Sequence, residues 1–410
     1  MAPLRVLISG AGVAGPALAF WMTRLGHRCS IIERFPSLRA NGQQIDIREQ
    51  AVDVARRMGL LEEIRKHVVD ESGLRFVDSD GKQKALFPKV ESKDGRHQGF
   101  TSEFEIMRGD LCRIMVDAAA AQTKYRFGLS VDELENGKDG VEVRLSDGSV
   151  ETYDLLVAAD GQGSRIRKMM LRDDEAAREA SHSLGVYVAY YTLARTPEDD
   201  NLATVFVAPG RRVAATRWHS AHQGQAYLAT MAHADEMEAA LRQDVDRQKD
   251  LFARVFKGTG WQSNRLVEEL RTADDFYAQA IVQIKCAPWS KGRVVLLGDA
   301  GYCPSPLTGM GTSLALIGAY VLAGEIARSD GDLESALAAY DRALRPLVDR
   351  IQKLPRGVPG LVYPKTELGV KALQLILALA EKLRLTKLLE SRTLPAREGW
   401  TLPDYPQLGY

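Results

Sequence analysis

Cysteine is scarce in this chain, with four in 410 residues. Cys29, Cys112, Cys286 and Cys303 lie far apart and form no C-x-x-C pair. That spacing excludes a disulfide framework, a thiolate zinc site and a redox dithiol, and it fits a reducing, cytoplasmic compartment. Net charge is missing too: Lys and Arg total 54, Asp and Glu 54. No basic field draws the chain to nucleic acid or to an anionic membrane. The start MAPLRVLISG has no basic n-region, apolar h-region and cleavage site, so no secretion signal is expected. Repeats and low-complexity linkers are absent. The most apolar late stretch, Leu373 to Leu385, falls short of the ~20 residues that cross a bilayer. It reads as a helix bracing two domains, with a membrane-surface helix as the alternative.

Against these absences stands one dense signal at the N-terminus. Val6, Leu7 and Ile8 form the short apolar run of a buried parallel strand. Gly10, Gly12 and Gly15, with Ala11 and Ala14 between them, fit G-x-G-x-x-G. The first glycine permits the turn, the second lets backbone approach a pyrophosphate, and the third lets helix pack on sheet. The spacing predicts a helix from Ala14 to Leu25, stopped by Gly26. Cys29 to Ile32 is the next strand, and Glu33 at its end lies where an acid grips an adenosine ribose. The expected phosphate site is the helix N-terminus, whose free N–H groups favour anions.

Two later segments repeat the arrangement of apolar strand followed by acid and glycine. Tyr153 to Ala159 leads into Asp160-Gly161-Gln162-Gly163-Ser164, with Arg167 beyond. Gly292 to Leu297 leads into Gly298-Asp299-Ala300, then Pro306, Gly309, Gly311 and Thr312. Ligands of open α/β sheets bind outside the carboxyl ends of strands, so all three can converge on one dinucleotide. Each acid alone could be a turn residue or cap. Between them, Ser183 to Met231 is rich in strands and turns and carries Tyr187, Tyr190, Tyr191, Trp218, His219 and Tyr227. It reads as a sheet with one face free for a ligand. A helix is expected over Asp235 to Val255.

With these motifs the chain resembles the aromatic-ring hydroxylases, the class A single-component FAD monooxygenases typified by para-hydroxybenzoate hydroxylase. The likeness runs from residue 4 to about 345. Size and short loops look like the tetracycline-inactivating FAD monooxygenases. The resemblance implies an α/β protein with a Rossmann-like FAD-binding domain over 1–73, 101–180 and 275–365. A β-rich substrate domain would be inserted at 74–100 and 181–274, and a bracing helix would cover 366–395. It implies FAD and NAD(P)H, with O2 adding to reduced flavin as a C4a-hydroperoxide that hydroxylates or epoxidises an aromatic or polyketide-like molecule. Glu33 and its neighbour Arg34 would serve the adenosine side and Asp299 the ribityl or ribose side. Arg108 would contact the cofactor, Arg39 and Asp46 would stand near FAD and nicotinamide, and Asp160 would serve both. Backbone from Gly309 to Ser313 would face the flavin.

The chain departs from the family at Gly301-Tyr302, where His is common, at Ser313, where Asn is usual, and at Gly318, where an acid is usual. An altered pocket wall is therefore expected. Candidate substrate residues are Tyr190, Arg212, Arg217 and His219. Arg212 would fix an oxyanion and His219 would move a phenolic proton. Arg212 in a solvated turn and His219 on the surface are the competing readings. Cys303 reads as an inert buried thiol. A flavin dehydrogenase or reductase that does not incorporate oxygen, and a non-enzymatic flavin-binding redox sensor, are the alternatives on the same fold. The expected assembly is a monomer or homodimer.

Overall fold

In the computed structural model, residues 2–38, 42–89, 103–172, 180–383 and 399–410 are described. The early strands are β1 Arg5–Ser9, β2 Arg28–Glu33, β3 Gln44–Asp46, β4 Gly73–Val77, β5 Gln83–Pro88 and β6 Glu105–Met107. Next come β7 Thr123–Phe127, β8 Val131–Asn136, β9 Val141–Leu145, β10 Val150–Tyr153, β11 Leu155–Ala158 and β12 Ser181–Ala194. The last are β13 Leu202–Ala208, β14 Arg212–Trp218, β15 Gln223–Thr230, β16 Tyr277–Ile284, β17 Ser290–Lys291 and β18 Val294–Leu296.

Six of these strands form one sheet in the order β17-β18-β11-β1-β2-β7, parallel apart from the β17–β18 pair. Val6, Leu7, Ile8, Leu156, Val157, Val294 and Val295 at its centre are fully buried. A strand covered on both faces demands such an unbroken apolar run. The helix Ala14–Arg24 crosses over between β1 and β2. It packs against the helix Gly311–Arg328, which is apolar almost all round and buried along most of its length. Strands β1, β11 and β18 run in parallel, so all three motif segments leave the same edge of the sheet.

The second sheet has seven strands in the order β16-β12-β15-β14-β13-β4-β5. Its faces divide by residue parity. Ala189, Tyr191, Phe206, Ala214, Trp218 and Leu228 pack in the core shared with the helices Ala234–Ala240, Val245–Phe256 and Ser263–Thr272. Val188, Tyr190, Val213, Tyr227 and Ala229 belong to the opposite face.

Several expected boundaries move. Tyr277–Ile284, grouped by sequence with the FAD-binding unit, pairs with β12 as an edge of the seven-stranded sheet. The helix expected over Asp235 to Val255 is two helices, because Asp244 caps the second by accepting from the Arg247 N–H. The late helix covers Glu367–Lys382 and packs on β5 and β13, burying only Val370 and Ala380. Its expected continuation over 384–395 lies outside the described residues. Among the described residues, no helix is long and apolar enough to cross a membrane.

Candidate active site

A cavity of about 800 Å³ is lined by the carboxyl edge of the six-stranded sheet and by one face of the seven-stranded sheet. On the first side lies the glycine turn. Gly10 has φ +118°, and a Cβ there would stand 2.3 Å from the Ala159 oxygen. A Cβ on Gly15 would stand 2.1 Å from the Gly10 oxygen. Both positions are closed by backbone, so only glycine fits. Gly12 differs, since its Cβ would meet nothing nearer than the Arg108 guanidinium at 3.6 Å. Its backbone faces the open cavity. Ala11 lines that cavity too, while Ala14 and Gly15 stand behind it in the packing.

Glu33 closes the turn, accepting from the Ala11 N–H at 2.9 Å and from the Phe35 N–H at 3.2 Å. Arg34 lies over the Phe35 ring beside it. Gly298 brings the third motif against the first, as its Cβ would be 3.2 Å from that of Ala14. Asp160 accepts from the Arg165 N–H at 2.9 Å through one oxygen, while its other oxygen is buried without a hydrogen-bond partner. Burial raises the Asp160 carboxyl above its ordinary value, against the pull of the Ser164 hydroxyl and nearby N–H groups. Burial likewise raises Asp299, opposed by the Cys303 thiol and the Arg108 charge. Asp46 accepts from Arg48 at 3.0 Å and keeps a second buried oxygen unpaired. This pair lies under the Gly309 turn that leads to Gly311 and Thr312 at the head of the long buried helix. Pro306, Gly309, Gly311 and Thr312 all line the cavity. Arg39 lies outside the described residues.

Arg167 has a role that sequence reasoning missed. Its guanidinium donates to the Ala300 oxygen at 2.6 Å and to the Gln162 oxygen at 2.7 Å. It thereby ties the second motif to the third. The D-G-x-x-S-x-x-R spacing was the available signal: the Ser164 cap starts a helix that turns Arg167 inward.

The opposite wall is aromatic and apolar. Tyr190, Tyr227, Tyr277 and Tyr363 line it with Val186, Val188, Val205 and Val213. Tyr190 stacks on Tyr277 with centroids 4.8 Å apart and meets Tyr227 edge-on at 5.2 Å. Burial pushes the Tyr190 hydroxyl up to about 12, so it is a neutral donor at neutral pH. The amides of Gln43 and Gln279 also reach this wall. Sequence reasoning missed them, because polar side chains in loops and strands carry no spacing signal.

Three expectations are corrected here. Arg212 faces away from the cavity, with its guanidinium donating to the Pro209 and Val255 oxygens on the helical side. Parity is the reason: Val213, Ala215 and Arg217 take the cavity face of β14, so Arg212 cannot. His219 stands past the end of β14 and does not line the cavity. Burial lowers its imidazole, against the pull of Asp110 and Asp275, which leaves it neutral at neutral pH. Nor do the family departures reshape the wall. Tyr302 and Gly318 pack against each other in the core, where a Cβ on Gly318 would meet the Tyr302 hydroxyl oxygen at 2.1 Å. Ser313 is buried too, accepting from the Arg48 N–H at 2.9 Å.

The cavity fits FAD. It has an open glycine turn at a helix N-terminus, and two buried carboxylate oxygens, on Asp46 and Asp160, that find no hydrogen-bond partner among the described residues. Comparison with known proteins agrees. The family model described as "FAD binding domain" matches residues 3–353. The FAD-dependent monooxygenase asL4 of Sarocladium schorii is 38% identical, covering 100% of this chain and 99% of its own. A flavin-dependent monooxygenase of Legionella longbeachae is 35% identical over 98% of both chains. The crystal structure of the tetracycline destructase Tet(55) superposes with a TM-score of 0.80 at 29% identity, covering 98% of this chain and 99% of the other. On the glycine turn, the convergent acids and this full-length likeness, the chain belongs to the FAD-binding-domain family and is a class A FAD-dependent monooxygenase.

Proposed function

We propose that this enzyme hydroxylates or epoxidises an aromatic or polyketide-like small molecule, with NAD(P)H and O2 as co-substrates. The observation that carries the reading is the tyrosine-lined face of the seven-stranded sheet standing across one cavity from the glycine turn. The tetracycline destructase, at 29% identity, is named for a polycyclic substrate and supports the same class.

Bound FAD supplies the redox chemistry, taking hydride from the nicotinamide and activating O2. The chain's own residues bind, orient and shield. Gly12 and the N–H groups of the first helix receive the pyrophosphate, and Glu33 with Arg34 holds the adenosine end. Asp299 and Arg108 hold the ribityl side, and Asp46 and Asp160 face the nicotinamide approach. Backbone N–H groups at Gly309, Gly311 and Thr312 meet the flavin. The Tyr190–Tyr277 stack offers an outer ring face to the substrate, and the Tyr190 hydroxyl orients its oxygen. The valines beside them exclude water. The four buried thiols suit a reducing cytoplasm, and the proposed assembly is a monomer or homodimer.

The test is NADH and NADPH oxidation by the purified yellow protein with a panel of phenols and polycyclic enols, with O2 uptake and oxygen-18 incorporation measured in parallel. Substrate-stimulated oxidation with label in the product is the expected result. Turnover without label would give the site to a dehydrogenase or reductase. A flavin that neither nicotinamide reduces would make the protein a redox sensor or the partner of another electron donor.

A further inference from the structure

Arg217 is the cation that the cavity face of the seven-stranded sheet presents among the described residues, and it is already engaged. Its guanidinium donates to both oxygens of Glu71, at 3.0 and 2.7 Å, and to Glu105. Glu71 is 2% and Glu105 1% exposed. One Glu105 oxygen has no hydrogen-bond partner among the described residues. Two carboxylates against one guanidinium give the group a formal charge of minus one in a desolvated wall. The remaining cations lining the cavity, Arg34, Arg108 and Arg165, belong to segments of the six-stranded-sheet side. Arg165 is drawn outward to Asp132 at 3.2 Å. The Asp46–Arg48 pair nearby is neutral in sum.

We infer that the Glu71–Arg217–Glu105 triad makes the substrate pocket selective for uncharged phenols and enols, and that it rejects their carboxylated counterparts. The inference rests on the reading above that the tyrosine-lined wall takes the substrate. A guanidinium free of protein partners would recruit a carboxylate through a bidentate pair. Here the Nε–Nη2 edge is spent on Glu71 and Glu105, and the negative charge of Glu105 repels a second anion across low-dielectric space. A carboxylate entering this face would lose its hydration and find tyrosine rings, valines and occupied amides. The Gln279 oxygen already accepts from the Gln162 amide at 3.1 Å, and the Gln43 oxygen accepts from the Tyr277 hydroxyl. A flat neutral ring loses little hydration and gains the stacking surface of Tyr190 and Tyr277. Arg217 acts here as a specificity residue through its carboxylates.

The experiment compares isosteric ligands on the FAD-loaded enzyme: salicylamide and salicylaldehyde against salicylate. Binding is read by calorimetry, and NAD(P)H oxidation gives kcat and KM. The amide should bind at least tenfold more tightly than the acid, with the difference in KM and in the calorimetric constant alike. In Glu105→Gln, which keeps the Arg217–Glu71 fork, the ratio should fall severalfold because salicylate binds better while salicylamide changes little. Glu71→Gln serves as the second variant should the first not fold, with the same direction of change. Wild-type enzyme that binds salicylate as well as salicylamide, or a ratio unmoved by neutralising either glutamate, would overturn the inference and leave the monooxygenase reading in place. If no phenol of either kind binds or stimulates the enzyme across the wider panel, the assignment of this wall to substrate fails, and the inference fails with it.

Discussion

The three glycines of the turn do different work, and alanine substitutions separate them. At Gly12 an added Cβ meets only the far end of Arg108, at 3.6 Å. The apo-protein should therefore tolerate Gly12→Ala, and lower chain entropy in the unfolded state could even add about 0.4–1 kcal/mol. The cofactor should not tolerate it. The methyl group stands where the pyrophosphate must approach backbone, and pushing the phosphate back weakens its helix-terminus interaction and a charge-assisted hydrogen bond. Together these are worth about 2–3 kcal/mol, a loss of roughly 30- to 150-fold in FAD affinity. Gly15→Ala is the opposite case. Its Cβ would press on the Gly10 oxygen at 2.1 Å, so helix and turn must separate. Overpacking of that kind costs about 1–3 kcal/mol before any cofactor is added. The assay is thermal unfolding of the apo-proteins together with FAD titration followed by flavin fluorescence. Gly12→Ala should keep the wild-type apo midpoint and lose FAD, whereas Gly15→Ala should lower the midpoint itself. A Gly12→Ala protein that binds FAD within threefold of wild type would refute the placement of the pyrophosphate.

Arg167→Met should lower both stability and FAD affinity by about 3 kcal/mol or more, because the Ala300 and Gln162 oxygens each lose a charged donor; denaturant unfolding of apo and holo forms checks this. Tyr190→Ala should raise the substrate KM at least tenfold while leaving FAD affinity near wild type, and steady-state kinetics beside FAD titration will read both. Asp299→Asn should stabilise the apo-protein at pH 7 yet weaken FAD binding. The sign follows from the raised carboxyl: a group that is harder to ionise in the fold penalises the native state above its folded pKa, and the penalty fades as pH falls through that value towards the ordinary 3.8. The stability gain of Asp299→Asn, measured by urea unfolding, should shrink along the same path. Tyr405→Ala should cost about 3–5 kcal/mol, since this fully buried ring covers Gly324 and its hydroxyl donates to Glu325 at 2.6 Å.

The nucleotide side was legible because its rules are local. A glycine needed for a positive φ, an acid at a strand end and a cap before a short helix each follow from a few adjacent residues, as Gly10, Glu33 and Ser164 illustrate. The substrate side was not legible, because it turns on pairing across the chain. Whether Arg212 or Arg217 faces the ligand depends on parity in β14. That parity is fixed by the Gly210–Arg211 turn, where Arg211 takes φ +63°, and by the pairing of Arg212 with Thr230. Tyr190 and Arg217 are the candidates that line this wall, Tyr190 flanked by Tyr277 from a strand that local signals grouped with the other unit. Likewise the partners of Arg217, Glu71 and Glu105, come from segments 146 and 112 residues away. No window of sequence contains that triad.

The order of strands in the six-stranded sheet also sets a timetable for synthesis. Its centre joins residues 5–9 to 155–158, and these to 294–296, so the sheet stays open until the third segment leaves the ribosome. The cofactor's cradle draws on all three segments and on the helix head at Gly311. A nascent chain therefore cannot hold FAD until residues 294–311 have emerged. Over that interval β1 and β11 expose edges and apolar faces that later partners will cover, a hazard of non-local parallel pairing. FAD then arrives as a late clamp that binds only the completed sheet and draws the folding equilibrium towards it by mass action. Yield in a recombinant host should accordingly follow riboflavin supply more closely than the strength of the promoter.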